Sequence, residues 1–142
     1  MSQEGRATTS VLLPVPPARV WEAITTPAII KQYFFGVDVV TDWKVGSPLL
    51  FRGSYNGKMF EDKAIILKFE REKTLAWNYW SSFSGLPDKP ENYQEVVYTL
   101  APEGAGTRLT VTQACGPDPA QKEHCVSNWN MVFAGLKKWC ES

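Results

Sequence analysis

The chain has 142 residues, with 15 Lys and Arg balanced by 15 Asp and Glu, and so carries no formal net charge. Without a Lys/Arg cluster it lacks the concentrated positive charge that phosphate recognition needs, which argues against a nucleic-acid partner. The length suits a single domain spanning residues 1–142, able to bury a core without metals or disulfides; with no run of about 18 apolar residues and a polar start from Met1 to Arg6, a soluble cytoplasmic protein with no membrane span is expected.

Ala7 to Leu13 holds Thr8, Thr9, Val11 and Leu12 and ends at Pro14, which predicts a first strand. Pro16 and Pro17 open a short helix through Ile24, with Val20, Trp21 and Ile24 as its buried side. Thr26 before Pro27 reads as an N-cap with proline at the first helical position, and Ile29, Ile30, Tyr33 and Phe34 follow at helical spacing before a stop at Gly36. Val37 to Val40 predicts a strand, and Lys44 to Pro48 a turn. Leu49 to Tyr55 and Lys58 to Glu70 flank Asn56-Gly57, a strong hairpin signal. Glu61, Asp62 and Lys63, in the middle of the longer arm, read as a solvated face or a bulge. Leu75 to Trp80 alternates Leu75, Trp77 and Tyr79 with Ala76 and Asn78. Ser81 to Asn92 has the composition of an exposed loop, and Glu95 to Leu100 and Thr107 to Ala114 are again alternating strands.

The last stretch, Pro117 to Trp139, is an amphipathic helix: Cys125, Trp129, Val132, Phe133, Leu136, Trp139 and Cys140 form one apolar stripe. Asp118 is placed to cap it, and Lys137 and Lys138 lie where a helix C-terminus favours cations. Its apolar face needs a partner, and nearly everything upstream is strand. The expected fold is therefore α+β, a curved antiparallel meander of about seven strands gripping one long helix.

Residues able to carry chemistry are few. His124 is the sole histidine, and Cys125 points about 100° away from it around the helix, so the two do not share a metal. Cys115, Cys125 and Cys140 have no CxxC spacing and read as reduced thiols packed as small hydrophobes; no metal or cofactor is expected. Ser81-Ser82-Phe83-Ser84-Gly85 lacks a GxSxG context, and Gly104 and Gly106 precede no helix, which argues against a serine hydrolase and a phosphate loop. Glu61 and Asp62 fall on opposite faces of their strand, so only one can point inward.

Five runs carry a family resemblance: PARVWEAITTP from Pro17 to Pro27, YNGKMFED from Tyr55 to Asp62, LAWNYW from Leu75 to Trp80, TRLTVTQ from Thr107 to Gln113, and Trp129 followed six residues later by Leu136-Lys137. Together they resemble the activator of Hsp90 ATPase homologue 1-like group of the Bet v1/START-related (SRPBCC) superfamily, and the resemblance spans nearly the whole chain. It implies a helix-grip fold with a cavity between the long helix and the inner face of the sheet. By strand parity the lining implied is Phe51, Trp77, Tyr79, Tyr98, Leu109 and Val111, facing Trp129, Val132, Phe133 and Leu136, with Phe34, Phe35 and Trp43 at the mouth. The same set also reads as a filled aromatic core.

Three functions follow as expectations. The first is non-catalytic binding of a hydrophobic or aromatic small molecule or lipid in that cavity. The second is a protein-interaction module with a chaperone partner. The third is an enzyme on an aromatic or polyketide-like substrate, for which Asp62, Asn78 and Tyr79 are the polar candidates.

Overall fold

The computed structural model describes residues 6–34, 36–55, 57–80, 87–89, 92–114 and 119–141. The elements are β1 (Arg6–Leu13), α1 (Pro17–Thr25), α2 (Pro27–Tyr33), β2 (Asp38–Val40), β3 (Pro48–Tyr55), β4 (Lys58–Glu70), β5 (Thr74–Trp80), β6 (Gln94–Glu103), β7 (Gly106–Ala114) and α3 (Pro119–Glu141). All seven strands form one sheet in the order β1-β7-β6-β5-β4-β3-β2, and every pairing is antiparallel. From β2 to β7 each strand lies beside its neighbour in sequence. Only β1 is displaced, pairing with β7 at the far edge, and α1 and α2 carry the chain across the sheet from one edge to the other.

Alternation sets which side chains the helices cover. On β7, Leu109 and Val111 are fully buried while Arg108 and Thr110 are not, and on β6 the buried set is Val96, Tyr98 and Leu100. The long helix α3 lays Trp129, Val132, Phe133 and Leu136 on this face, packing against β1, α1 and α2. Thr9 of β1 donates a 2.8 Å hydrogen bond to the Asn130 side-chain oxygen, which fixes α3 over that edge. Arg19 of α1 lies 4.2 Å from the ring centre of Trp139, so the last turns of α3 meet α1 through a cation–π contact.

Three local expectations are corrected. Glu61 to Lys63 contains no bulge: Arg52, Phe51 and Leu50 pair with Glu61, Asp62 and Lys63 in unbroken register. Glu61 and Lys63 do face solvent, but Asp62 points inward and is only 6% exposed. The irregularity in β4 lies further on, between Ile66 and Lys68, which pair with Trp77 and Ala76. One extra residue there shifts the parity, so that Phe69, paired with Leu75, joins the inner side after Asp62, Ala64 and Ile66. Thr26 does precede Pro27, and its carbonyl accepts the Ile29 and Ile30 N–H groups, but its side chain makes no capping hydrogen bond. Finally, Pro48 belongs to β3 rather than to the preceding turn. Asp118, the expected cap of α3, and Asn56 of the β3–β4 turn lie outside the described residues; Gly57 of that turn has φ +79°.

Gly106 shows why one short turn needs its residue. A Cβ at this position would lie 2.2 Å from the Leu13 carbonyl oxygen at the end of β1, where the next residue, Thr107, donates to the Val15 carbonyl at 2.8 Å. Gly106→Ala must therefore move backbone, and should cost about 1–3 kcal/mol, read as a lower urea midpoint with an unchanged slope.

Candidate ligand site

The inner side of the sheet and the facing side of α3 are joined by a chain of touching rings. Phe51 of β3 lies 5.9 Å from Trp77 and 5.7 Å from Tyr79, both on β5. Trp77 lies 5.0 Å from Tyr98 of β6. Tyr98 in turn meets Trp129 of α3 edge-on at 5.5 Å, and Trp129 reaches Phe133 at 6.3 Å. Phe34, just past the end of α2, closes the chain by lying between sheet and helix, 5.9 Å from both Phe51 and Trp129. Aromatic pairs at these separations add about 0.5–1.5 kcal/mol each beyond area burial, so the layer is a principal source of cohesion.

Ten of the side chains expected to line the cavity or close its mouth fall into three groups. Phe34, Phe51, Trp77, Tyr79, Tyr98, Trp129 and Phe133 form the ring chain. Val132 and Leu136 lie beneath it, buried in the same core. Trp43 stands apart, 6.0 Å from Phe69, whose other side meets Trp21 of α1 at 5.1 Å. Phe35, expected at the mouth, lies outside the described residues.

The interior is filled. A small, partly open void of about 10 Å³ remains, lined by Phe34, Trp43, Phe51, Trp77 and Tyr98 and, on the side of α1, α2 and β2, by Ile24, Ile30, Tyr33, Val39 and Leu49. That is room for about one water molecule. The second group of lining residues was legible only as core-forming helix and strand positions; nothing local in the sequence shows that they gather at one gap. A separate, open surface groove of about 700 Å³ runs along α1, floored by Trp21 and Phe69 and edged by Arg19, Glu22 and Arg71.

Polar groups collect at one end of the ring chain. The Tyr79 hydroxyl donates to Asp62 Oδ2 at 2.6 Å, a short bond of the kind made to a carboxylate. Trp129 Nε1 donates to Gln113 Oε1 at 2.8 Å, and Gln113 Nε2 donates to Gln94 Oε1 at 2.7 Å. Because Tyr79 and Gln94 are cross-strand partners, the two sets adjoin. Asp62 and Tyr79 had been candidates, whereas Gln113 and Gln94 had not. Gln113 was within reach of the parity argument, two residues beyond Val111 on an inward face. Asn78, the other candidate, pairs with Ile65 on the opposite face of the sheet.

Other candidate residues lie elsewhere. His124 is exposed and lies 3.2 Å from the Asn128 amide one turn along α3. Cys125 and Cys140 are half-buried, and burial pushes the Cys140 thiol up. Cys115 and the Ser81–Gly85 run lie outside the described residues. On the outer face Asp88 accepts from Lys63 at 2.8 Å and from the Tyr93 hydroxyl at 2.6 Å, fastening Asp88 and Tyr93 to β4; burial and the bond to Asp88 push the Tyr93 phenol up to about 12.

A curved antiparallel sheet closed on a long C-terminal helix, with two short helices after the first strand, defines the helix-grip class of Bet v1-like proteins. Within it, the chain belongs to the family described as Activator of Hsp90 ATPase homolog 1-like protein, whose sequence model matches residues 14–141. Solved structures agree. Protein ChR145 from Cytophaga hutchinsonii is 38% identical, with 99% of this chain and 97% of that one covered at a TM-score of 0.85. Protein CV1439 from Chromobacterium violaceum is 21% identical, with 97% and 98% covered and a TM-score of 0.77. The Aha1 dimer from Colwellia psychrerythraea is 19% identical, with 93% and 92% covered and a TM-score of 0.73. Among curated proteins, no sequence matches. No helix among the described residues is long and apolar enough to cross a membrane.

Two buried phenols give the site a pH signature. Burial pushes Tyr98 well above its ordinary value of 10.0, with neighbouring Tyr33 adding to the effect, and Tyr33 itself is raised mainly by burial. Below pH about 10 both phenols are protonated whether the chain is folded or not, so their full contribution is present. Above it, the unfolded chain releases protons that the folded chain retains, and stability falls by about 1.4 kcal/mol per pH unit for each phenol. Tyr98→Phe should remove one phenol's share, about 1.4 kcal/mol per pH unit, from that alkaline slope, as measured by urea unfolding from about pH 9 to about pH 11.

Proposed function

We propose that this protein binds an apolar, aromatic small molecule between α3 and the inner face of the sheet, and holds it without transforming it. The observation that supports this most is the ring chain itself. It joins two independent walls, strand positions on one side and Trp129 and Phe133 on the other, and ends in hydrogen-bonding groups from Asp62, Tyr79 and Gln113. An apolar surface with a few convergent polar groups is the general form of a small-molecule site. The ligand-contacting residues on this reading are Phe34, Phe51, Trp77, Tyr79, Tyr98 and Trp129, with Phe133, Val132 and Leu136 behind them and Trp43 on the far wall. Since the residual void is about 10 Å³, entry requires side chains to move apart.

The test begins with native mass spectrometry of the purified protein, followed by titration with a small hydrophobic library while tryptophan emission is recorded. A co-purifying mass, or saturable quenching at micromolar ligand that Trp129→Phe diminishes, is the expected result. A bare protein mass with no compound changing either emission or melting temperature would count against the site. In the absence of ligand, Asp62→Ala removes the acceptor of the 2.6 Å bond from the Tyr79 hydroxyl and should cost about 1–3 kcal/mol, measurable by urea unfolding.

A second reading, a chaperone-associated interaction module, draws on the family description and on the outer face of the sheet. There Val40 is 46% exposed and Ile65 43%, and Val40 pairs with Leu50 across the edge. Recovery of Hsp90 in a pull-down, with a change in its ATPase rate that Val40→Asp abolishes, would favour this reading; no recovery and no rate change would remove it.

A further inference from the structure

We infer that a second copy of this chain docks on the free edge of β1, antiparallel to it, so that two sheets become one and the two α3 helices lie side by side about a twofold axis. The inference goes beyond the binding reading and does not depend on it. The two edges of the sheet are unlike each other. At one, β2 has three residues and carries the Lys31–Asp38 ion pair, so it is short and charged in the manner of edges that resist pairing. At the other, β1 runs for 8 residues in unbroken register with β7. From Ala7 to Leu13 it has no charge, no proline and no bulge, and Thr8, Thr9 and Val11 are β-branched. Its far side pairs with no strand among the described residues. That leaves a row of backbone donors and acceptors of the kind that another extended strand completes.

Helix α3 identifies whose strand this is. Thr9 donates to the Asn130 side-chain oxygen at 2.8 Å, so the middle of β1 lies beside the middle of α3. Asn130 is about 100° around the helix from buried Trp129, on the flank next to the sheet edge. Glu123 and Lys137 share that flank, each within about 20° of Asn130 and about 10 Å from it along the axis, one to either side. Val126 and Ala134 lie between them. A twofold axis at Asn130 turns this row onto itself, setting Glu123 of one copy opposite Lys137 of the other and Val126 opposite Ala134. Glu123 and Lys137 are exposed, and neither forms an ion pair among the described residues. Self-complementarity of this kind is what an isologous interface requires, and an unrelated peptide added to β1 would leave it unused.

The same axis suits β1. Antiparallel pairing centred on Thr9 sets Thr8 opposite Ser10 and Ala7 opposite Val11, so inner-face residues meet inner-face residues as one continuous sheet demands. Arg6 then lies opposite Leu12, and no like charges face each other. Both copies use the same edge, so assembly closes at two.

The test is sedimentation velocity over a range of protein concentrations, with far-UV circular dichroism to show that each variant folds. The wild type should pass from monomer to dimer as concentration rises, without larger species. Glu123→Lys and Lys137→Glu each set like charges against each other and should raise the dissociation constant at least about tenfold, whereas the double exchange restores opposite charges and should return it close to the wild-type value. Ser10→Lys, at an exposed position of β1, should also weaken the dimer by charging the edge. A chain monomeric at every concentration, larger assemblies in place of a dimer, or a dimer indifferent to all three single substitutions would overturn the proposal. So would weakening by charge reversal that the double exchange fails to rescue. If the chain stays monomeric and its β1 amides gain protection from hydrogen exchange only when a synthetic peptide of the β1 sequence is added, the edge takes a peptide and the second copy is wrong.

Discussion

Trp129 is where helix and sheet are fastened to each other, and the rest of the arrangement depends on that contact. Its ring meets Tyr98 edge-on at 5.5 Å, and its indole N–H is satisfied by Gln113 of β7 at 2.8 Å. One side chain on α3 therefore contacts two adjacent strands by two kinds of interaction. Apolar packing alone would let α3 slide along a greasy sheet, because the hydrophobic effect is non-directional. The hydrogen bond to Gln113 and the bond from Thr9 to Asn130, on the next residue, fix its position along that face. With α3 fixed, Gly135 presents the shallow spot into which Tyr33 fits, and α2 takes its place from there.

The same fastening creates the tension between cohesion and function. A site lined by rings is sticky to aromatic ligands for the reason it is sticky to itself, and a small domain gains much of its stability from such rings. A permanently open cavity here would forfeit dispersion contacts on every ring around it. Filling it with a side chain of the chain's own avoids that loss, and the residue best placed to do so without committing a strand or helix is one at the end of an element. Phe34, just past the end of α2, fills part of that space.

Much of this was legible in the sequence, for identifiable reasons. Strand parity located Phe51, Trp77, Tyr98, Leu109 and Val111 on the inner face, and helical spacing located Trp129, Val132, Phe133 and Leu136 opposite them. Those are period arguments, and buried faces enforce the period. Charge misled at Asp62: three consecutive charged residues looked like a solvated stretch, yet alternation sends the middle one inward, where the Tyr79 hydroxyl meets its carboxylate. The bulge after Ile66 was obscured by Leu67, as apolar as Ile65 and Ile66 before it, although Lys68 stands where strict alternation would send a side chain inward, and Phe69 was consequently not assigned to the core. Nor does any local pattern disclose that Phe34 lies between Phe51 and Trp129, because that contact unites residues from α2, β3 and α3 that only the closed fold brings together.

The bulge ties one wall of the ring-lined interior together. By turning Phe69 inward it gives Trp21 and Trp43 a common partner, so α1, β4 and the turn before β3 are joined through one ring. Trp43 has φ 61°, an uncommon and strained conformation for a bulky residue, and the turn holds it there: the Thr41 hydroxyl accepts its N–H at 3.3 Å, and the Asp42 carboxylate accepts the next N–H at 3.1 Å. Hydrogen bonds from Ser47 and from the Lys44 N–H hold the Asp42 carboxyl below its ordinary range, a sign of how firmly the turn is tied. Displacing Trp43 would disturb all of these together. On the opposite side, the Phe34 N–H closes the last bond of α2 to Ile30 at 2.8 Å, and the Phe34 carbonyl accepts the Val37 N–H at 3.1 Å. Both Trp43 and Phe34 are therefore held in turns, one before β3 and one after α2.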